Sequence, residues 1–180
     1  MSAIDLPVTL RLMTEDDFPM LHDWLNRPHV FEWWGGKQQT LENVREKYLP
    51  RVRGQEAVTP YIALLGGQPF GFAQSYLAMG SGNGWWEDET DPGVRGIDQT
   101  IGAPQLLSKG LGTLLVCALT ARIFEDVSIN KIQVDPATGN ARAIRCYEKA
   151  GFKHVGVVAT PDGPAAYMLK ARHLSDRDLP

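Results

Sequence analysis

The sequence predicts a single α/β domain spanning residues 1–180, with a mixed central sheet flanked by helices. Three observations point there. Apolar residues make up 43% of a 180-residue chain, enough for one packed core. Segments that alternate with a period of two are interleaved with segments of helical period, in the order βααββ, an irregular stretch, then βαβαββ. The later part of that order contains one strand–helix–strand crossover and a closing hairpin, which fits a mixed sheet better than a doubly wound nucleotide fold.

Each element has a local reason. "VTLRLM" alternates and predicts a strand over Val8 to Met13. Thr14, with Asp17 three residues on, forms a capping-box signature for a helix from Glu15 to Asn26. "EWWGG", Glu32 to Gly36, reads as a loop, and a second helix runs from about Leu41 to Tyr48, stopped by Pro50. Strands Tyr61–Leu65 and Phe70–Leu77 flank a Gly66-Gly67 turn. A further strand covers Val94 to Ile101, followed by a glycine-bearing turn and an apolar helix from Thr113 to Phe124. "KIQV" gives a strand over Lys131 to Val134, ended by Asp135-Pro136. Asn140 caps a helix from Ala141 to Ala150, with Gly151 behind it. "HVGVV", the turn "TPDG" and "AAYMLKA" make the last hairpin.

Composition narrows the function classes. A net charge of -3 argues against nucleic acid as partner, since phosphate binding needs a basic face. No apolar run approaches the roughly 18 residues of a membrane span, and "MSAIDLPVTL" lacks the features of a secretory leader. The expectation is a cytoplasmic protein with no membrane partner. Cys117 and Cys146 fall in helical segments without metal spacing, and His22, His29, His154 and His173 are scattered, so no metal is expected. Monomer and dimer both stay open.

Two stretches carry chemistry. "KGLGT", Lys109 to Thr113, stands between a strand and a helix, where glycines and free helix-start amides suit an anion. It matches neither a Walker loop nor a dinucleotide fingerprint, and a plain tight turn explains it equally well. "NGWWEDETDPGVRGIDQ", residues 83–99, gathers Glu87, Asp88, Glu89, Asp91 and Asp98 against the single base Arg95, behind Trp85 and Trp86. Carboxylates beside indoles suit a polycation with flat apolar faces. A solvated acidic loop is the alternative. If extended, the two indoles face opposite ways, so one is expected in the core and the other on the site.

Asn140, Ala143 and Tyr147 recur at helical spacing and run into "EKAGF". With "KGLGT", this resembles the GCN5-related N-acetyltransferases, whose fold is expected here. "WLNRPHVFEWWGG", "YIALLGGQPFGFAQSY", the acidic tryptophan stretch, "AIRCYEKAGF" and "TPDGPAAYM" extend the resemblance to the aminoglycoside 6'-N-acetyltransferases, over roughly Val8 to Lys170. The resemblance implies acetyl-coenzyme A as donor and the 6'-amine of an aminoglycoside as acceptor. It implies coenzyme binding by Leu107, Ser108, Lys109, Gly110, Leu111, Gly112, Thr113 and Asn140, largely through backbone groups. Leu107 departs from the family, which often has Gln or Arg there.

The same resemblance places Asp98 on the strand that carries the acetyl group, where it would take the proton of the acceptor ammonium or only hold the substrate. It puts Tyr147 at the sulfur as proton donor, although a core aromatic is the other reading. Asp135 and Asp162 sit where relatives contact the antibiotic, yet both also read as ordinary turn residues. Trp85, Trp86 and Glu87 complete the expected substrate surface. Asn83 replaces an acid of the family pattern. Cys146 adjoins Tyr147, but neighbours on a helix diverge by about 100°, so both cannot face one sulfur. Acetylation of polyamines or protein N-termini, and a non-catalytic module binding coenzyme A or cations, remain as alternatives.

Overall fold

A computed structural model describes residues 6–172; the leader expectation for residues 1–5 and His173 lie outside them. Seven strands form one sheet in the order β1-β2-β3-β4-β5-β7-β6. They are β1 (Val8–Leu12), β2 (Val58–Leu65), β3 (Gln68–Leu77), β4 (Val94–Ile101), β5 (Lys131–Val134), β6 (Lys153–Thr160) and β7 (Gly163–Ala171). All neighbours are antiparallel except β4 and β5. That parallel pair is the expected crossover.

Helices α1 (Phe18–Leu25), α2 (Pro28–Phe31) and α3 (Leu41–Val52) cover one face; α4 (Leu111–Ile123) and α5 (Ala141–Lys149) cover the other. Strand alternation sorts the side chains between them. Ile62 and Phe72 join Phe18, Leu21, Trp24 and Tyr48 on the α1–α3 face. Ala63, Ala73, Ile97 and Ile132 join Leu115, Leu119 and Phe152 on the α4–α5 face.

The Gly66-Gly67 turn holds both residues at positive φ, 55° and 83°, which two consecutive glycines permit in a tight hairpin. Thr14 N–H donates to Asp17 Oδ2 at 2.8 Å, and Asp17 is held by Arg11 at 2.6 Å. The helix expected from Glu15 opens as a 3-10 turn, Glu15–Asp17, before α1 begins at Phe18.

One expectation is corrected. Pro50 does not stop the second helix, which runs to Val52. A proline in the last turn removes one ladder bond where few remain to be lost. Its carbonyl still accepts from Gln55 N at 2.8 Å, and the buried Tyr48 anchors the turn before it. The short α2 was not foreseen; Pro28 starts it, and Arg27 and His29 tie it to the carbonyls of Gly102 and Ile101 at 2.9 Å each.

Candidate active site

The site begins with a break in the sheet. β4 and β5 share only Val94↔Lys131, Arg95↔Ile132 and Gly96↔Gln133, while β4 continues to Ile101, paired with β3 on its other edge. From Ile97 onward, the β4 edge toward β5 has no strand partner among the described residues. Backbone groups that are not paired there must be satisfied by something else.

This edge opens into a cleft of about 330 Å³, walled by α4 and α5 on one side and by α2 and the segment after it on the other. β4 lends Gln99, Thr100 and Ile101 to its wall. The glycine turn and the start of α4 supply Leu107, Ser108, Gly110, Gly112 and Thr113. Asn140, Ala143 and Cys146 of α5 face them, and Trp33 and Trp34 close one side. Gly110 is the N-cap of α4 at φ 80°, with no side chain to satisfy the first-turn amides, which leaves them available to an anion. Ser108 also holds a positive φ, 58°.

Two residues of the expected coenzyme loop point elsewhere. Leu111 is a core residue, 2% exposed, and the Lys109 side chain is exposed and does not line the cleft. Asn140 spends its side-chain oxygen on capping, accepting from Ala143 N at 3.1 Å. Sequence reasoning missed Arg142, Arg145 and Lys149, which line the same cleft. Their spacing of three and four along α5 was the available signal: it puts three cations on one helical stripe.

Tyr147 is buried in the α4–α5 core, edge-on to Phe152 at 5.3 Å. Burial raises its hydroxyl well above the ordinary tyrosine range, and the negative field of Asp98 adds to this. Asp98 lies across from Gln74 in the β3–β4 register and receives its amide at 2.7 Å. It is therefore on the opposite face of β4 from Ile97 and the α4 core. Burial pushes the Asp98 carboxyl up; the Gln74 hydrogen bond, Lys47 and Arg51 push it back. Asp98 and Tyr147 thus sense each other's charge from two faces of one sheet.

Asp135 follows β5 at the same break. Burial first, then the charges of Asp98 and Asp162, raise it to about 7. Asp162 is exposed in the β6–β7 turn, where its N–H donates to Thr160 Oγ1 at 3.2 Å. Asp98 and Asp162, from two other segments, thus act on Asp135 through their charge.

The acidic tryptophan stretch divides. Glu89 pairs with Lys131 at 3.2 Å, and Asp91 accepts from Gly93 N at 2.7 Å and from Asn130 at 2.8 Å, so both fasten the loop to β4 and β5. Glu87 and Asp88 are exposed. The expectation of one core tryptophan and one site tryptophan is corrected, because Trp85 and Trp86 are both half-buried. The chain is not extended at this point: Trp86 has φ 50° and Asn83 φ 56°, so strand alternation does not apply. Trp86 donates its indole N–H to Tyr76 at 3.0 Å and lies 5.7 Å from the Tyr167 ring. Tyr76 has room because Gly96 opposes it; a Cβ at Gly96 would stand 2.2 Å from the phenol ring.

Among the described residues no cluster of three or more His, Cys, Asp or Glu could hold a metal ion, and no helix is long and apolar enough to cross a membrane.

Comparison with known proteins identifies the family. Residues 13–160 match the acetyltransferase (GNAT) domain. The chain is 61% identical over 172 residues to an aminoglycoside N(6')-acetyltransferase type 1 of Klebsiella pneumoniae, covering 94% of this chain and 86% of that protein. A structure of AAC(6')-Ib with paromomycin and acetyl-coenzyme A superposes with TM-score 0.89 at 60% identity, covering 94% of this chain and 99% of the other. A second, with coenzyme A and kanamycin, gives 0.87 at 62% identity, covering 92% and 95%. The chain belongs to the GNAT acetyltransferases, in the family of the aminoglycoside N(6')-acetyltransferases.

Proposed function

We propose that the protein transfers the acetyl group of acetyl-coenzyme A to the 6'-amine of aminoglycosides by direct attack, without a covalent enzyme intermediate, and so confers resistance. The observation that carries this reading is the break at β4: an anion-suited cleft opens at its unpaired end, and the Asp98 carboxylate stands on the same strand. Similarity to the aminoglycoside enzymes supports the choice of acceptor over a polyamine or a protein N-terminus. A cytoplasmic location belongs to the same proposal, because the donor is a cytoplasmic metabolite.

Each residue then has a task. The α4 first-turn amides, with Arg142, Arg145 and Lys149, hold the donor's phosphates, leaving the thioester along the open β4 edge. Free β4 backbone receives the carbonyl oxygen as charge develops on it. Glu87, Asp88, Asp135 and Asp162 draw the ammonium groups, and Trp85 and Trp86 offer flat walls to sugar faces. Asp98 takes the proton of the attacking amine, directly or through one water; burial, which raises its pKa, makes it a stronger base than a solvated carboxylate. Tyr147, which keeps its proton through that range, donates to the departing sulfur. With Asn83 at the loop tip, one ammonium contact of the family pattern is weakened.

A thiol-release assay with acetyl-coenzyme A and kanamycin, spermidine or a peptide amine tests acceptor class, and turnover of kanamycin is expected. Asp98→Asn keeps shape but removes basicity, and should lower kcat by roughly 10²–10⁴-fold. Glu87→Gln/Asp88→Asn should instead raise the kanamycin KM, more so at low salt, with a smaller effect on kcat. If Asp98→Asn changes only KM at every pH, the base lies elsewhere.

A further inference from the structure

We infer that Arg51 and Gln74 are positioning residues that fix the orientation of the Asp98 carboxylate; this rests on Asp98 being the base. The three side chains form one hydrogen-bonded line from the end of α3 to the open edge of β4. Arg51 Nε donates to Glu56 Oε2 at 3.0 Å, and its Nη1 donates to Gln74 Oε1 at 3.0 Å. Gln74 Nε2 donates to Asp98 Oδ2 at 2.7 Å. Gln74 is only 7% exposed, and the Arg51 side chain 17%.

The direction of the line follows from chemistry. A guanidinium can only donate, and an ionised carboxylate can only accept. The amide between them therefore has one satisfactory orientation, oxygen to Arg51 and nitrogen to Asp98. The reverse would set oxygen against oxygen and N–H against N–H. Arg51 is itself held on two sides, by Glu56 and by the Tyr48 ring 5.2 Å beneath its guanidinium. An anchored donor at one end thus makes Gln74 a fixed donor at the other. It is the one side chain among the described residues that donates to Asp98, and it engages Oδ2, leaving Oδ1 for the incoming amine.

The charged and titratable groups acting on Asp98 or its neighbours come from every surrounding element: Lys47 and Arg51 of α3, Tyr76 of β3, Asp135 after β5, Tyr147 of α5 and Asp162 in the β6–β7 turn. The acids and burial favour the neutral carboxyl. Lys47, Arg51 and the Gln74 amide favour the ionised one. Removing the line should therefore move the acidic limb of kcat/KM, which reports ionisation of the free base, to higher pH.

The test measures pH profiles with kanamycin and acetyl-coenzyme A for Gln74→Met and Arg51→Met, each alone and combined with Asp98→Asn, with thermal melts to verify folding. Gln74→Met should lower kcat/KM about 10-fold at neutral pH and raise the acidic limb by about one unit, the worth of one hydrogen bond to a charged group. Arg51→Met, at the better exposed end, should shift the limb in the same sense by less. In the Asp98→Asn background both substitutions should leave kcat nearly unchanged, because they act through that carboxylate. Full additivity with Asp98→Asn, or slower turnover with an unmoved acidic limb, would overturn the positioning role while the base assignment stands. An unchanged kcat for Asp98→Asn alone would remove the base assignment, and this inference with it.

Discussion

Trp86 and Tyr76 are joined by an indole N–H···O bond of 3.0 Å, and the same indole lies against Tyr167, whose hydroxyl donates to Gln133 at 3.1 Å. Tyr76 belongs to β3 and Tyr167 to β7, so one loop residue connects strands on both sides of the β4–β5 junction. Trp86 is thus a structural tie as well as a candidate sugar platform.

Trp86→Phe keeps a ring against Tyr167 but cannot donate to Tyr76. Tyr76→Phe removes the acceptor instead. Each should cost about 1 kcal/mol of unfolding free energy, the net worth of one neutral hydrogen bond. The double variant should fall short of the sum, because both remove the same bond. Urea titrations of the three proteins check this; full additivity would show that the bond contributes nothing to stability.

Asp135 carries a pH signature. Its folded-state value of about 7 stands above the usual 3.8, so the folded protein holds a proton that the unfolded chain has already released. The stability this contributes is fully present below about pH 4 and is lost as pH rises through about 7. Asp135→Asn carries no such charge. Its melting temperature should exceed that of the parent at pH 8, and the gap should close as the pH is lowered to 4. A bound polycation should reverse the preference and ionise Asp135, so kanamycin binding near pH 6.5 should release a proton. Calorimetry in buffers of different ionisation enthalpy measures that release.

The two glycines of "KGLGT" should fail differently. Gly110 sits at φ 80° with open space around a would-be Cβ, so Gly110→Ala costs the left-handed backbone penalty of about 1–2 kcal/mol. Gly110→Val should further raise the acetyl-coenzyme A KM by crowding the cleft. Gly112 has helical backbone, but its Cβ would stand 3.3 Å from Cys146 Sγ. Gly112→Val should therefore push α4 from α5, lowering the melting temperature along with donor affinity. Donor KM values and melts for both variants check the distinction.

Much of the framework was legible because local chemistry brackets it. β4 and β5 were read with their observed bounds, since glycine, proline and asparagine stand at their ends. The cleft wall was legible where one segment holds its parts, as at Gly110, Gly112 and Thr113. It was not legible where partners meet only in the folded chain. Nothing local distinguishes Glu87 from Glu89; the difference is Lys131, 42 residues away. Gln74 reads as one more strand residue until β3 pairs with β4 and α3 brings Arg51 over it. Trp86 escaped the alternation rule because its positive φ lies outside the strand.

The brevity of the β4–β5 ladder has a mechanical consequence. With three residue pairs between them, β4 and β5 share a short ladder, and Trp86 reaches across it from Tyr76 to Tyr167. A donor whose amide-bearing arm lies along the open edge of β4 would act as a splint, completing hydrogen bonding the polypeptide leaves undone. Donor binding should then slow amide exchange in β4 beyond Gly96 and in β5 together, and set the spacing between Asp98 and Asp135. On that account the acceptor pocket reaches its working dimensions only after the donor is seated, and the two substrates add in a preferred order, with the coenzyme first.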